Sequence, residues 1–83
     1  MIEQQVKTFV LRALLAARGP LGDDTLKGAI RSAFPGVAFT NGDLTQWTRE
    51  MENSQLIAGT RDDITGTMWD LTTKGKIKAQ QLS

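Results

Sequence analysis

The sequence contains neither cysteine nor histidine among its 83 residues. The chain therefore has no disulfide, no thiol nucleophile, no histidine-dependent catalytic triad and no zinc site built from nitrogen and sulfur ligands. It also lacks the glycine-rich fingerprints that bind nucleotide phosphates. We predict a protein that is not an enzyme, without catalytic residues, metal site or cofactor. A chain without cysteine is typical of the reducing cytoplasm, where we expect this protein to lie.

Long apolar runs are missing as well, since no stretch approaches the ~20 apolar residues that a membrane span needs. The N-terminus, MIEQQVKTFVL, has neither the basic start nor the cleavage site of a secretory signal. We therefore expect no membrane partner. Ten basic and nine acidic residues give a net charge of only +1, which is low for a non-specific nucleic-acid binder. The length and the 40% hydrophobic content predict a single domain over residues 1–83.

Apolar residues recur at helical spacing in three segments. The first helix is predicted over residues 2–18, with Gly19-Pro20 as its stop and Leu21-Gly22 completing a turn. A second helix is predicted from about residue 23 or 24, capped by an aspartate, to residue 34. A third should begin near Thr40, with Asp43 three residues on in a capping-box pattern, and end at residue 53 or 54. Its inward face is predicted to hold Leu44, Trp47, Thr48 and Met51.

After the third helix the apolar residues no longer recur at helical spacing and instead alternate as in strands. Residues 56–61 and 67–71 alternate like two strands, and residues 62–66 between them carry the composition of a turn, so we predict a hairpin. Trp69 and Leu71 share one face of the second strand. A short helix is predicted over residues 73–82. Because a hairpin cannot bury its apolar face alone, it must fold back on the helices.

This order predicts the α+β class and a winged helix, namely a three-helix bundle with a two-stranded antiparallel hairpin wing and a short C-terminal helix. Residues 44–57, LTQWTREMENSQLI, resemble the recognition helix and first wing strand of MarR-like and PadR-like regulators. Residues 69–75, WDLTTKG, resemble their second wing strand and its Leu-Thr-x-x-Gly ending. The resemblance implies a bacterial or phage transcriptional regulator whose third helix enters the major groove of double-stranded DNA. The chain departs from these families because it lacks their long dimerising helices and its wing turn is acidic, at Asp62 and Asp63.

The exposed face of the third helix is the predicted DNA-reading surface, because Arg can fork onto guanine and Gln or Asn onto adenine. A solvated helix face has the same composition, so an inert surface is the alternative. Phosphate contacts are expected from the second helix and from the hairpin, where Arg61 could instead pair with a neighbouring aspartate. The predicted DNA-binding residues are Thr45, Gln46, Arg49, Asn53, Arg61, Lys27 and Arg31.

A second function remains open, that of a winged-helix module that docks another protein and binds no DNA. The acidic hairpin turn favours it, as does the net charge of −2 over residues 37–56, where Arg49 stands against Asp43, Glu50 and Glu52. Leu11 and Leu15 lie on the far side of the first helix. Either the C-terminal segment covers them, or they form an apolar strip for a homodimer or a protein partner.

Overall fold

The structure, a computed structural model, describes residues 2–64 and 66–82. In this part of the chain it is an α+β domain with four helices and one three-stranded antiparallel sheet, whose strand order is β1-β3-β2. Thr65, in the predicted turn, lies outside the described residues. The elements in chain order are α1 (Ile2–Ala17), β1 (Leu21–Gly22), α2 (Asp23–Ala33), α3 (Asn41–Asn53), β2 (Ile57–Asp62), β3 (Gly66–Leu71) and α4 (Thr73–Leu82).

The sheet has one strand more than the predicted two-stranded hairpin. Leu21 and Gly22, predicted as a turn, pair with Trp69 and Met68 of β3. A strand of two residues is too short to show alternation, and its partner lies far along the chain, so local patterning could not reveal it. The hairpin itself is confirmed, with Ile57 opposite Leu71 at its base.

The core lies where the three-helix layer meets the sheet. Leu44, Thr48 and Met51 of α3 are buried as predicted, and the Thr48 hydroxyl is satisfied because it donates to the Leu44 carbonyl at 3.0 Å. Trp47, on the same inward face, is half-buried: it packs against the edge of the core and lies on Phe39 with 6.1 Å between ring centroids. The buried apolar residues are Val6, Val10, Leu11, Leu14, Leu26, Ile30, Leu44, Met51, Ile57, Trp69, Leu71 and Ala79.

The ends of the helices show which capping signals in the sequence predicted the structure correctly. Thr40 and Asp43 form the predicted capping box, because the Thr40 side chain accepts from the Asp43 N–H and Asp43 accepts from the Thr40 N–H. The start of α2 differs from the prediction, since its N-cap is Gly22 and no side chain caps it. At the end of α1 it is Arg18, and not Gly19, that adopts the left-handed conformation, with φ of 56°.

Candidate nucleic-acid interface

The outward face of α3 carries the predicted base-reading side chains. The capping box fixes the start of the helix and its buried stripe fixes its rotation, which leaves Gln46, Arg49 and Asn53 exposed. Gln46 donates to Glu50 at 3.2 Å. Among the described residues Arg49 has no ion pair and no side-chain hydrogen bond. Its guanidinium therefore keeps all its donors available for an external acceptor.

Lys27 is not the free surface cation that the sequence predicted. It is half-buried, its ammonium lies 3.0 Å from the Asp23 carboxylate, and it donates to the Thr45 hydroxyl at 3.1 Å. The second Asp23 oxygen accepts from the Trp69 indole N–H at 2.9 Å. Through these bonds Lys27 and Asp23 connect α2 with both α3 and β3, so this pair holds α3 against the sheet and contributes little free charge.

Arg31 forms no ion pair within residues 2–64 and 66–82. It is exposed, donates to the Asn41 side-chain oxygen at 2.6 Å, and lies over the Phe39 ring at 5.4 Å from the centroid. Neither partner is a carboxylate, and a stacked guanidinium loses little mobility on meeting a phosphate. Arg31 therefore places a positive charge at the start of α3.

Arg61 pairs across to α3 and not with the aspartates next to it. Its guanidinium lies 3.5 Å from Glu52, and its side chain is 63% exposed. A pair this exposed contributes little stability and can exchange for an external anion. Arg61 also lines a small cleft of about 160 Å³ between α3 and the sheet, together with Arg49, Lys27 and Thr45. The structure thus brings these predicted residues together, whereas Arg31, Gln46 and Asn53 lie outside the cleft.

Carboxylates border the exposed face of α3 on the side of α1, at Glu3 and Glu50. Lys7 donates to Glu50 at 2.8 Å, and this hydrogen bond, followed by that from Gln46, lowers the pKa of Glu50 below its ordinary value. Glu50 therefore stays charged and is held in place by Lys7. Sequence reasoning missed Glu52, Asp23 and Trp69 as walls of the cleft. The only available signal was the spacing of Asp23 and Lys27, which puts them on one side of a helix.

The two leucines on the far side of α1, Leu11 and Leu15, have different surroundings in the structure. Leu11 is buried, at 3% exposure, because α4 packs along α1 and covers it, so Leu11 is not part of an exposed strip. Leu15 is half-buried and reaches a groove beside α4. Of the two alternatives for these leucines, cover by the chain itself is what the structure shows for Leu11.

Within residues 2–64 and 66–82 we also looked for a metal site and for a helix that could span a membrane. These residues hold no group of three or more acidic, histidine or cysteine side chains arranged to bind a metal ion. No helix among them has both the length and the apolarity to cross a membrane. Comparison with protein-family models, curated proteins and solved structures finds nothing that matches the chain.

Proposed function

We propose that this chain is a winged helix-turn-helix domain that binds double-stranded DNA by placing α3 in the major groove, as part of a transcriptional regulator. The order of helices and strands supports it, because β2 and β3 form a hairpin beside the third helix. The observation that carries the proposal is the exposed face of α3, where Arg49 stands without a carboxylate partner among the described residues, on the same side as Gln46 and Asn53.

Each side chain has a defined role in this proposal. Arg49 forks onto a guanine edge, while Gln46 and Asn53 suit adenine. Arg31 and Arg61 flank α3 and contact backbone phosphates, which position the helix without reading sequence. Thr45 is held by Lys27, so it contributes to the placement of α3 more than to base contact.

Fluorescence anisotropy with a mixed-sequence duplex tests the proposal, because phosphate contacts make affinity fall steeply between about 50 and about 200 mM salt. We expect salt-sensitive binding by the natural chain. Arg49→Ala should weaken binding several-fold because it removes a base contact, whereas Arg31→Ala should reduce the slope of log affinity against log salt by about one because it removes a phosphate contact.

Lys78→Ala is the matched control, because it removes one exposed charge from α4, on a different element from the reading helix. Its affinity should stay within about twofold of the natural chain, since a charge outside the interface releases no counterion there. Equal losses for Arg49→Ala and Lys78→Ala would show that only overall charge is being measured and would remove α3 from the interface.

A protein partner is the second candidate, and the ion pairs favour it. Lys7, Lys27 and Arg61 all pair with carboxylates, which leaves the surroundings of α3 less positive than the lysine and arginine content suggests. In addition, Val37 is 39% exposed just before the half-buried Phe39 and Trp47 pair. Absence of binding at low salt by a folded chain would favour this candidate over DNA.

A further inference from the structure

A groove lies away from the exposed face of α3, between the C-terminal end of α1, the end of β3 and α4. Its volume is about 590 Å³. We call it the α1–α4 groove. The lining of the groove is mixed, and its apolar floor is formed by Leu14 and Leu71, which are buried, and by Leu15, which is half-buried. A groove with an apolar floor favours a ligand that brings an apolar side chain.

The rim of the α1–α4 groove is basic. Arg18 and Lys76 line it and are both exposed, and within the described residues their side chains form no hydrogen bond or ion pair. Asp70 is the acid among the described residues that line the groove, and one of its carboxylate oxygens accepts from the Leu71 N–H at 2.8 Å. The groove therefore combines an apolar floor with positive charge and suits an apolar side chain next to an anion.

The opposite end of the hairpin presents that combination. Ile64 is 93% exposed, far more than Ile77 at 53% or Val37 at 39%, and it follows Asp63. Its N–H donates to the Asp62 carboxylate at 2.7 Å, which holds the turn so that the isoleucine points to solvent. We call Asp63 and Ile64 the wing tip. It pairs one exposed apolar side chain with one adjacent carboxylate.

The wing tip cannot enter the groove of its own chain. The groove includes Asp70 and Leu71 at the end of β3, whereas the wing tip precedes Gly66 at the start of the same strand. A strand rises about 3.3 Å per residue, so the length of β3 separates the two features by roughly 20 Å. The occupant of the groove must therefore come from another molecule.

We propose that the occupant is the wing tip of a second copy of this chain. Ile64 of one copy enters the apolar floor between Leu15 and Leu71, and Asp63 lies against Arg18 and Lys76 of the other. Charge and polarity match, because the tip joins an apolar side chain to a carboxylate and the groove joins leucines to two cations, and both halves are present in one sequence. The proposal also accounts for an acidic turn that would repel a DNA phosphate, because the wing tip binds protein and leaves α3 to bind DNA.

The contact is head-to-tail, since tip and groove are different surfaces. Such contacts close into a ring when the rotation between copies permits, and otherwise extend into a chain. Sedimentation velocity without DNA, from about 5 to about 500 µM protein, tests it, because a contact of this size is expected to associate in the micromolar range or weaker. The expected result is a mass that rises with concentration, and a constant monomer mass would overturn the proposal.

Variants locate the contact. Ile64→Ser should weaken association at least tenfold without loss of helical circular dichroism, because the side chain makes almost no contact within its own chain. Asp63→Lys and Lys76→Glu should each weaken association similarly, and the double variant should recover to within about threefold of the natural chain, since the exchanged charges again attract. Lys78→Glu is the matched control, and it should leave association unchanged. Association that Ile64→Ser leaves intact, or that the double variant fails to recover, contradicts the proposal.

Mixing two variants of the chain tests whether the contact is head-to-tail. Ile64→Ser removes the tip and keeps the groove, whereas Arg18→Glu with Lys76→Glu removes the charge of the groove and keeps the tip. Neither chain should associate alone, and together they should form a one-to-one complex through the single intact contact. A contact between two identical surfaces gives no such recovery, because each variant would bring a damaged surface. Absence of the mixed complex would overturn the head-to-tail arrangement.

Discussion

The two ends of the β2–β3 hairpin are held in opposite ways. At its base, the Thr72 N–H and hydroxyl both donate to the Leu56 carbonyl, at 3.2 and 3.1 Å, and Gly75 packs against the same carbonyl. At its tip, the polar contact of Ile64 is with Asp62, two residues away. Long-range contacts fix the base and a local one shapes the tip. Substitutions at the base should therefore change stability, and substitutions at the tip should change association alone.

The largest expected effect is that of Gly75→Ala. A Cβ on Gly75 would overlap the Leu56 carbonyl oxygen and would lie 2.9 Å from its carbon, and backbone cannot move aside as a flexible side chain can. Since overpacking of this kind costs about 3 kcal/mol, α4 should shift away from the hairpin base. At 4–8 °C per kcal/mol for a domain of this size, Tm should fall by roughly 12–24 °C in thermal circular dichroism.

Gly28→Ala is the matched control, because it makes the same change in α2, where nothing lies within 4 Å of the new Cβ. Alanine is the better helix former, so the free energy of unfolding should rise by up to about 1 kcal/mol. The two substitutions should thus have opposite signs. If Gly75→Ala were also stabilising, the close approach of α4 to Leu56 would not be a feature of the folded protein.

The next effect tests the hydroxyl at the base. Thr72→Val keeps the shape of the side chain but removes the acceptor of the Gly75 N–H, at 2.9 Å, and the donor to Leu56. Loss of a capping side chain costs about 0.5–2 kcal/mol, so urea unfolding should show a lower midpoint with an unchanged slope. Thr72→Ser keeps the hydroxyl and should lose less than half as much. Equal losses would show that the methyl group, and not the hydrogen bonds, matters at this position.

These contacts explain why some elements were predictable from the sequence and others were not. The start of α3 was predicted because Thr40 and Asp43 are three residues apart, so the capping signal is local. The Leu-Thr-x-x-Gly ending was visible at residues 71–75, but its physical reason is Leu56, a neighbour only after folding. Strand β1 was missed for the same cause, since its pairing with β3 is not local.

The features of the candidate site also divide into those that local sequence predicts and those that depend on tertiary contacts. Helical geometry alone predicted that Gln46, Arg49 and Asn53 would be exposed, because the buried stripe of α3 sets its rotation. The pairing of Arg61 with Glu52 joins two elements, and the bond from Trp69 to Asp23 spans half the chain, so neither could be anticipated. Local sequence therefore predicts which side chains face outward, and tertiary contacts decide which of them keep their charge free.

The smallest expected effect is a gain of stability at the base. Gln55 follows the C-cap of α3 with φ of 64°, while the Leu56 N–H donates to the Met51 carbonyl at 3.0 Å and the Gln55 N–H to that of Glu52 at 2.9 Å. This is a Schellman ending, in which glycine adopts the left-handed conformation without the cost that a Cβ brings.

Gln55→Gly should therefore raise the free energy of unfolding by up to about 1 kcal/mol, measured by urea unfolding. Gln55→Ala is the matched control, because it removes the same exposed side chain but keeps the Cβ and its conformational cost. A gain in the glycine variant alone shows that the turn leading into the hairpin base is strained and is held by the contacts of Leu56 and Thr72. An equal gain in both would assign the effect to the glutamine side chain, and the base would then be free of backbone strain.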